Sequence, residues 1–155
     1  MSAPENYSVA TLAGLTAHDF GESEPVLIDQ DRINAFADCT GDHQWIHTDP
    51  ERAASHSPFG GTIAHGMLVL SLLAGKHLEL GIYPPDARQI INYGMNKVRF
   101  LAPVPVGAVV RVAVSITGVE VKRPGQIAVT TTNEVRIDGA DKPAIIAEQI
   151  AFVMG

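Results

Sequence analysis

Between Gly41 and Pro50 the chain packs Asp42, His43, His47 and Asp49 into ten residues, GDHQWIHTDP. Asp42 and His47 stand five positions apart in what reads as a loop, so both side chains can turn toward one point. A carboxylate and an imidazole that share one water form a minimal proton-handling pair. Histidine is the side chain that titrates near neutral pH without perturbation. A plainer reading stands beside this one: Asp42 follows a glycine in a turn, and Asp49 is placed to cap a helix. His43 adjoins Asp42 but alternates away from His47. His18, His56 and His77 read as surface residues. His43, His47 and Asp49 have metal-ligand chemistry, but their spacing fits no zinc pattern, so no metal and no cofactor is expected. Cys39 has no paired base in view and reads as a small packing residue.

The element that must position this pair is the run from Ala64 to Gly81, AHGMLVLSLLAGKHLELG. From Met67 to Ala74 it is apolar apart from Ser71, which predicts a helix buried on most sides. Four turns is about its length, and Lys76 and Glu79 arrive too soon for it to cross a membrane. Gly66 marks its start, and Gly81 follows its end, where a left-handed cap suits glycine. A helix start carries free N–H groups and partial positive charge. Gly66 is therefore a place for a developing anion.

Upstream, residues 1–24 are weakly patterned and predict a short helix or strand. Glu24–Ile28 reads as a short strand, and Asp29 caps a helix carrying Ile33, Phe36, Ala37 and Thr40. Gly41 ends that helix, Asp42–Thr48 reads as loop, and Asp49-Pro50 starts a short helix, PERAASH. From Gln89 onward the period becomes two. Val110, Val112, Val114 and Ile116 alternate with polar or small residues, as do Ile127, Val129, Val135 and Ile137. Ile146–Phe152 is a last strand. Turns at Arg123-Pro124-Gly125 and Asp138-Gly139 predict an antiparallel meander. Helices first and strands last give an α+β class. A curved antiparallel sheet wrapped around a long central helix is the hot-dog fold, here expected as a single domain over residues 1–155.

The 155 residues are 46% hydrophobic, enough for a core, and only 18% charged, which points to a surface shared with another subunit. A net charge of −6 argues against nucleic acid and anionic membranes as partners. The N-terminal stretch has no signal-peptide pattern, and a lone cysteine makes no intrachain disulfide. A cytoplasmic enzyme or binding protein is the expectation.

The stretch GDHQWIHTDPERAASHSPFGGTIAHGMLVLSL resembles the hydratase signature of the MaoC-like, R-specific enoyl-CoA hydratases. Asp42, His47, Asp49, Pro50, Ile63, His65, Gly66 and Met67 match in order and spacing. VRFLAPVPVG, from Val98 to Gly107, resembles the family's strand with Phe, Pro-Val and Gly. The Gly-Asp-His-Gln-Trp-Ile-His form resembles the NodN-like branch. The resemblance implies reversible syn addition of water to a trans-2-enoyl thioester, giving the R-3-hydroxyacyl thioester. It implies Asp42 and His47 as the catalytic pair, with the division of protons between them open. It also implies the Gly66 backbone N–H as oxyanion donor.

Trp45, His65 and Ser71 are the substrate-binding candidates. Gln44-Trp45 replace an Asn-Pro common in the family, so Trp45 bears on the acyl pocket. His65 matches the signature and is placed to fix the helix start by hydrogen bonding. Some members carry a helix serine, which by count falls at Ala74, with Ser71 nearly a turn earlier. Ala108 replaces an aspartate that often follows the downstream glycine. Lys97, Arg99 and Arg123 are of the type that meets coenzyme A phosphates. The implied partner is an acyl-CoA, or an acyl-carrier-protein ester, and a homodimer would cover an open sheet edge. Two other readings remain: a thioesterase on the same fold, and a non-catalytic acyl-thioester binder of NodN-like type.

Overall fold

The computed structural model describes residues 3–15 and 17–155. The weakly patterned start holds both a helix and a strand, α1 (Val9–Leu12) and β1 (His18–Glu22). Then come β2 (Val26–Ile28), α2 (Gln30–Thr40), α3 (Trp45–Thr48), α4 (Pro50–His56) and α5 (Gly66–Glu79). The chain finishes with β3 (Gln89–Phe100), β4 (Ala108–Arg123), β5 (Gln126–Ile137) and β6 (Ile145–Met154). The capping residues act as their types require. Asp29 accepts a hydrogen bond from the Arg32 N–H at 2.9 Å, and Asp49 accepts one from the Arg52 N–H at 3.0 Å. Gly41 ends α2 in the left-handed region, at φ 79°.

The strands form one antiparallel sheet in the order β1-β4-β5-β6-β3, with β2 also paired to β4. This corrects the meander in one respect. Only β4, β5 and β6 follow one another as neighbours; β3 lies at the far edge, against β6. The linker after β3 carries Pro103 and Pro105, which cannot donate to a ladder, and it pairs instead with the segment ahead of α5. The fold is α+β with a curved sheet around a helix: the hot-dog arrangement. Among the described residues no helix is long and apolar enough to cross a membrane.

Leu68, Val69, Leu70 and Leu73 of α5 pack with Val110, Val112, Val114, Ile116, Val129 and Val135 of the sheet. Burying each such side chain contributes about 1.5–3 kcal/mol. The expectation that α5 is covered on most sides is too strong for a single chain. Met67 is 60% and Leu78 66% exposed, and Ser71 and Ala74 between them are also exposed. These four residues fall on one stripe of the helix.

Two residue placements also differ from the sequence reading. Cys39 is exposed rather than packed. His77 is fully buried rather than on the surface. Its Nε2 donates to Asn133 Oδ1 at 2.5 Å, and its Nδ1 accepts from the Tyr83 hydroxyl at 3.1 Å. Those roles follow from Asn133, whose amide nitrogen is committed to Thr131 Oγ1 and the Ala147 carbonyl. The polar pair is invisible to periodicity because its partner lies 56 residues away. Burial pushes the Tyr83 hydroxyl up to about 12 and holds the His77 imidazole below its ordinary range.

A buried neutral imidazole makes stability depend on pH. Above about 6.5 neither the folded nor the unfolded state protonates His77, and this group contributes no slope. As pH falls below that value the unfolded chain binds the proton first, so stability drops by about 1.4 kcal/mol per pH unit until the lowered folded value is reached. Urea denaturation at pH 7.5, 6.5 and 5.5 should show this loss, and His77→Gln should be less stable at pH 7.5 but flatter below pH 6.5.

Candidate active site

The site is assembled by the four residues ahead of α5. The Ile63 N–H donates to the Ile46 carbonyl at 3.1 Å, and the Ala64 N–H to the Val104 carbonyl at 2.8 Å. The Val106 N–H returns a bond to the Thr62 carbonyl at 3.0 Å. Three segments distant in sequence are thereby held side by side: α3, the linker after β3, and the start of α5. Gln30 adds a side-chain brace. Its amide donates to the His47 carbonyl at 2.7 Å, while its Oε1 accepts from Thr62 Oγ1 at 2.6 Å.

The loop expected at Asp42–Thr48 is in part a helical turn. Asp42 Oδ1 accepts from the Gln44 N–H at 3.4 Å, and the Gln44 carbonyl accepts from the His47 N–H at 2.9 Å. That turn aims His47 inward, leaving it 7% exposed. His47 Nδ1 lies 2.6 Å from the Ile63 carbonyl. A carbonyl only accepts, so Nδ1 carries the proton, and the neutral ring keeps its lone pair on Nε2. His65 stacks on His47 with ring centroids 3.9 Å apart and planes 27° apart. His65 Nε2 donates to the Asp42 main-chain carbonyl at 2.8 Å and lies 4.0 Å from Asp42 Oδ2.

Asp42, His47 and His65 each bring one ligand-type atom within 4.8 Å of the others. That spacing suits a single water bridging carboxylate and imidazole. His65 Nδ1 is buried without a hydrogen-bond partner. His65 thus touches each part of the arrangement: Asp42 by a hydrogen bond, His47 by stacking and Gly66 by a peptide bond.

Two cavities meet at this point. One, of about 410 Å³, is lined mainly by apolar residues, with His47 and Gly66 beside Met67, Val69, Phe100 and Ile145. The other, of about 330 Å³, is lined by Phe36, Thr40, Asp42, His47, His65, Gly66 and Met67. His47, Gly66 and Met67 belong to both. Gly66 is the first residue of α5, and its N-cap residue His65 makes no side-chain capping bond. N–H groups of a first helical turn have no intrahelical acceptor. Asp42, His47 and the first residue of α5 therefore line one space, which can hold a polar group beside a water.

The remaining candidates lie outside that space. Trp45 lines neither cavity, and its ring carries the Arg52 guanidinium 4.5 Å from its centroid. Ser71 turns its hydroxyl back to the Leu68 carbonyl at 2.7 Å and faces a different groove, with Val26, Arg32 and Lys76. His43 is exposed, 3.8 Å from Asp38. Lys97 pairs with Glu148, and Arg99 donates to the neighbouring Val98 carbonyl at 2.8 Å. Sequence reasoning missed Gln30, Thr62 and Phe36. Gln30 and Thr62 carry no local signal, since the partners of each lie far away in sequence, including each other across 32 positions.

The MaoC-like domain family model matches residues 12–138. The chain belongs to the MaoC-like family. It is 50% identical over 144 residues to 3-hydroxyacyl-thioester dehydratase Z of Mycobacterium tuberculosis, covering 92% of this chain and 93% of that protein. It is 38% identical over 146 residues to nodulation protein N of Rhizobium leguminosarum bv. viciae, covering 94% of this chain and 91% of that one. The solved (R)-hydratase from A. caviae involved in PHA biosynthesis superposes with a TM-score of 0.70 at 27% identity, over 84% of this chain and 93% of that one. The MaoC-like signature residues Asp42, His47, His65 and Gly66 are thus spatial neighbours as well as sequence neighbours.

The hydrogen bond from His65 has a measurable consequence. His65→Phe keeps a flat ring against His47 but leaves the Asp42 carbonyl without its donor. Urea denaturation should show a loss of about 1–3 kcal/mol, and His65→Asn, which retains a side-chain donor, should lose less.

Proposed function

We propose that this chain is an R-specific enoyl-thioester hydratase, equivalently a 3-hydroxyacyl-thioester dehydratase, built as a single hot-dog domain. The observation that carries the reading is the convergence of Asp42, His47 and the start of α5 on one space that opens into an apolar cavity. The 50% identical relative named a 3-hydroxyacyl-thioester dehydratase supports it. Coenzyme A is the proposed carrier and the cytoplasm the proposed compartment.

In this reading the acyl chain lies in the apolar cavity and the thioester oxygen points at the Gly66 N–H. Charge grows on that oxygen as the enolate-like state forms, and one such donor is worth roughly 2.7–4 kcal/mol in enzymes where it has been removed. A water sits between the Asp42 carboxylate and His47 Nε2. Its oxygen bonds to Cβ, and one of its protons, relayed by the pair, reaches Cα on the same face. The pair ends as it began, and dehydration is the reverse path. His47 Nε2 is the acceptor for the water proton, because Nδ1 is held as a donor by the Ile63 carbonyl. Asp42 orients the water and completes the relay. His65 is a positioning residue.

A second copy of the chain is the proposed partner. β3 is an edge strand of 12 residues, paired among the described residues to β6 on one side only. Tyr93 is 66%, Ile91 45%, Met95 40% and Leu101 54% exposed along or just beyond it. An edge this long and apolar needs a cover.

Crotonyl-CoA should be hydrated, seen as loss of enoyl absorbance with no thiol release. Asp42→Asn and His47→Gln should each lower the rate at least about a hundredfold, the scale of general acid–base contributions. Thiol release in place of hydration, or variants as fast as the parent, would refute the assignment. Analytical ultracentrifugation should give a dimer, and Ile91→Lys with Met95→Lys should shift it to monomer.

A further inference from the structure

We propose that Phe100 sets which thioesters the site accepts, by excluding substituents on the carbon next to the thioester carbonyl. The proposal rests on the hydratase reading and adds a specificity-determining residue to it. A Cβ built on Gly66 would lie 2.8 Å from both Cδ1 and Cε1 of Phe100. Non-bonded carbons prefer about 3.5–4.0 Å, so the Phe100 ring occupies the space that a side chain at position 66 would need. This is the close approach that requires glycine at the start of α5.

Phe100 is held at its backbone, and its ring lies against Gly66. Its main chain pairs with Ile145, and the next N–H, from Leu101, donates to the Ala144 carbonyl at 2.7 Å. The residue is 51% exposed and lines the larger cavity together with Gly66, Met67 and Val69. Asp42 and His65 line the other cavity, and Phe100 does not. Gly66 and His47 therefore line both cavities, with Asp42 and His65 in one and the Phe100 ring in the other.

A thioester whose oxygen reaches the Gly66 N–H must place its α-carbon in that gap. One face of the α-carbon has to meet the proton relay. That carbon is planar, so a substituent on it lies in the alkene plane, edge-on to the relay, and the Phe100 ring closes that edge. A straight 2-enoyl thioester fits, and a 2-methyl-branched one meets the ring. Phe100→Ala removes the wall and leaves the Asp42 and His47 side chains as they are.

The test compares crotonyl-CoA with 2-methylcrotonyl-CoA by kcat/KM. The parent should prefer crotonyl-CoA, and Phe100→Ala should shift the ratio toward the branched substrate by at least about tenfold, the low end of what one methyl group is worth in an apolar pocket. Phe100→Leu should fall between the two. An unchanged ratio in variants that still hydrate crotonyl-CoA would overturn the proposal and leave the hydratase reading standing. A parent that hydrates neither substrate would overturn both. The contact itself has a readout independent of turnover. Gly66→Ala should lower the melting temperature less in the Phe100→Ala background than in the parent, and equal losses in the two backgrounds would overturn the contact.

Discussion

Everything at the site depends on four residues, Thr62 to His65, that run between the α3 turn and the linker after β3. Their main-chain groups bond to Ile46, Val104 and Val106, and the Ile63 carbonyl sets the His47 tautomer. A short extended segment has its donors and acceptors on both sides, so it can register two neighbours at once. Asp42, His47 and Gly66 are placed relative to one another by this segment. Neither the helix nor the sheet alone would do so. Preorganisation matters here because a displacement of one ångström costs far more in rate than in stability.

The polar groups of the site are supported unequally. His47 is buried, braced by Gln30 at its carbonyl, by Ile63 at its ring and by His65 across its face. Asp42 is half exposed and held mainly through its backbone carbonyl. That difference suits a relay in which the imidazole keeps one orientation while the carboxylate stays in contact with water. At the opposite end of α5, His77 is bonded to Asn133 and Tyr83, away from the cavities. The same helix thus carries an open polar end and a sealed one.

Much of the exposed apolar surface lies on two elements. Met67 and Leu78 on α5, and Ile91, Tyr93, Met95, Phe100 and Leu101 along β3 and just after it, are among the large apolar residues that a lone chain leaves uncovered. Met67 and Phe100 also line the larger cavity. The exposed apolar surface and the wall of the larger cavity are therefore continuous, so a second copy that covered the one would also shape the other.

Much of this was legible in the chain itself. Caps at Asp29 and Asp49, the left-handed Gly41, the apolar run of α5 and the period-two strands are local signals, and local geometry obeys them. The signature spacing from Asp42 to Gly66 was equally readable, as a resemblance. Other features needed the tertiary structure, because they join residues far apart. No periodicity shows that His77 meets Asn133, that Gln30 meets Thr62, or that Phe100 rests on Gly66. Strand order belongs to the same class. Neighbouring strands in sequence are the default, but β3 lies at the far edge, and the proline-bearing linker that follows it runs beside the start of α5. Residue types and spacing determined which chemistry the chain carries; the long-range hydrogen bonds decided where it converges, because a bond between distant positions leaves no trace in either position's own neighbourhood.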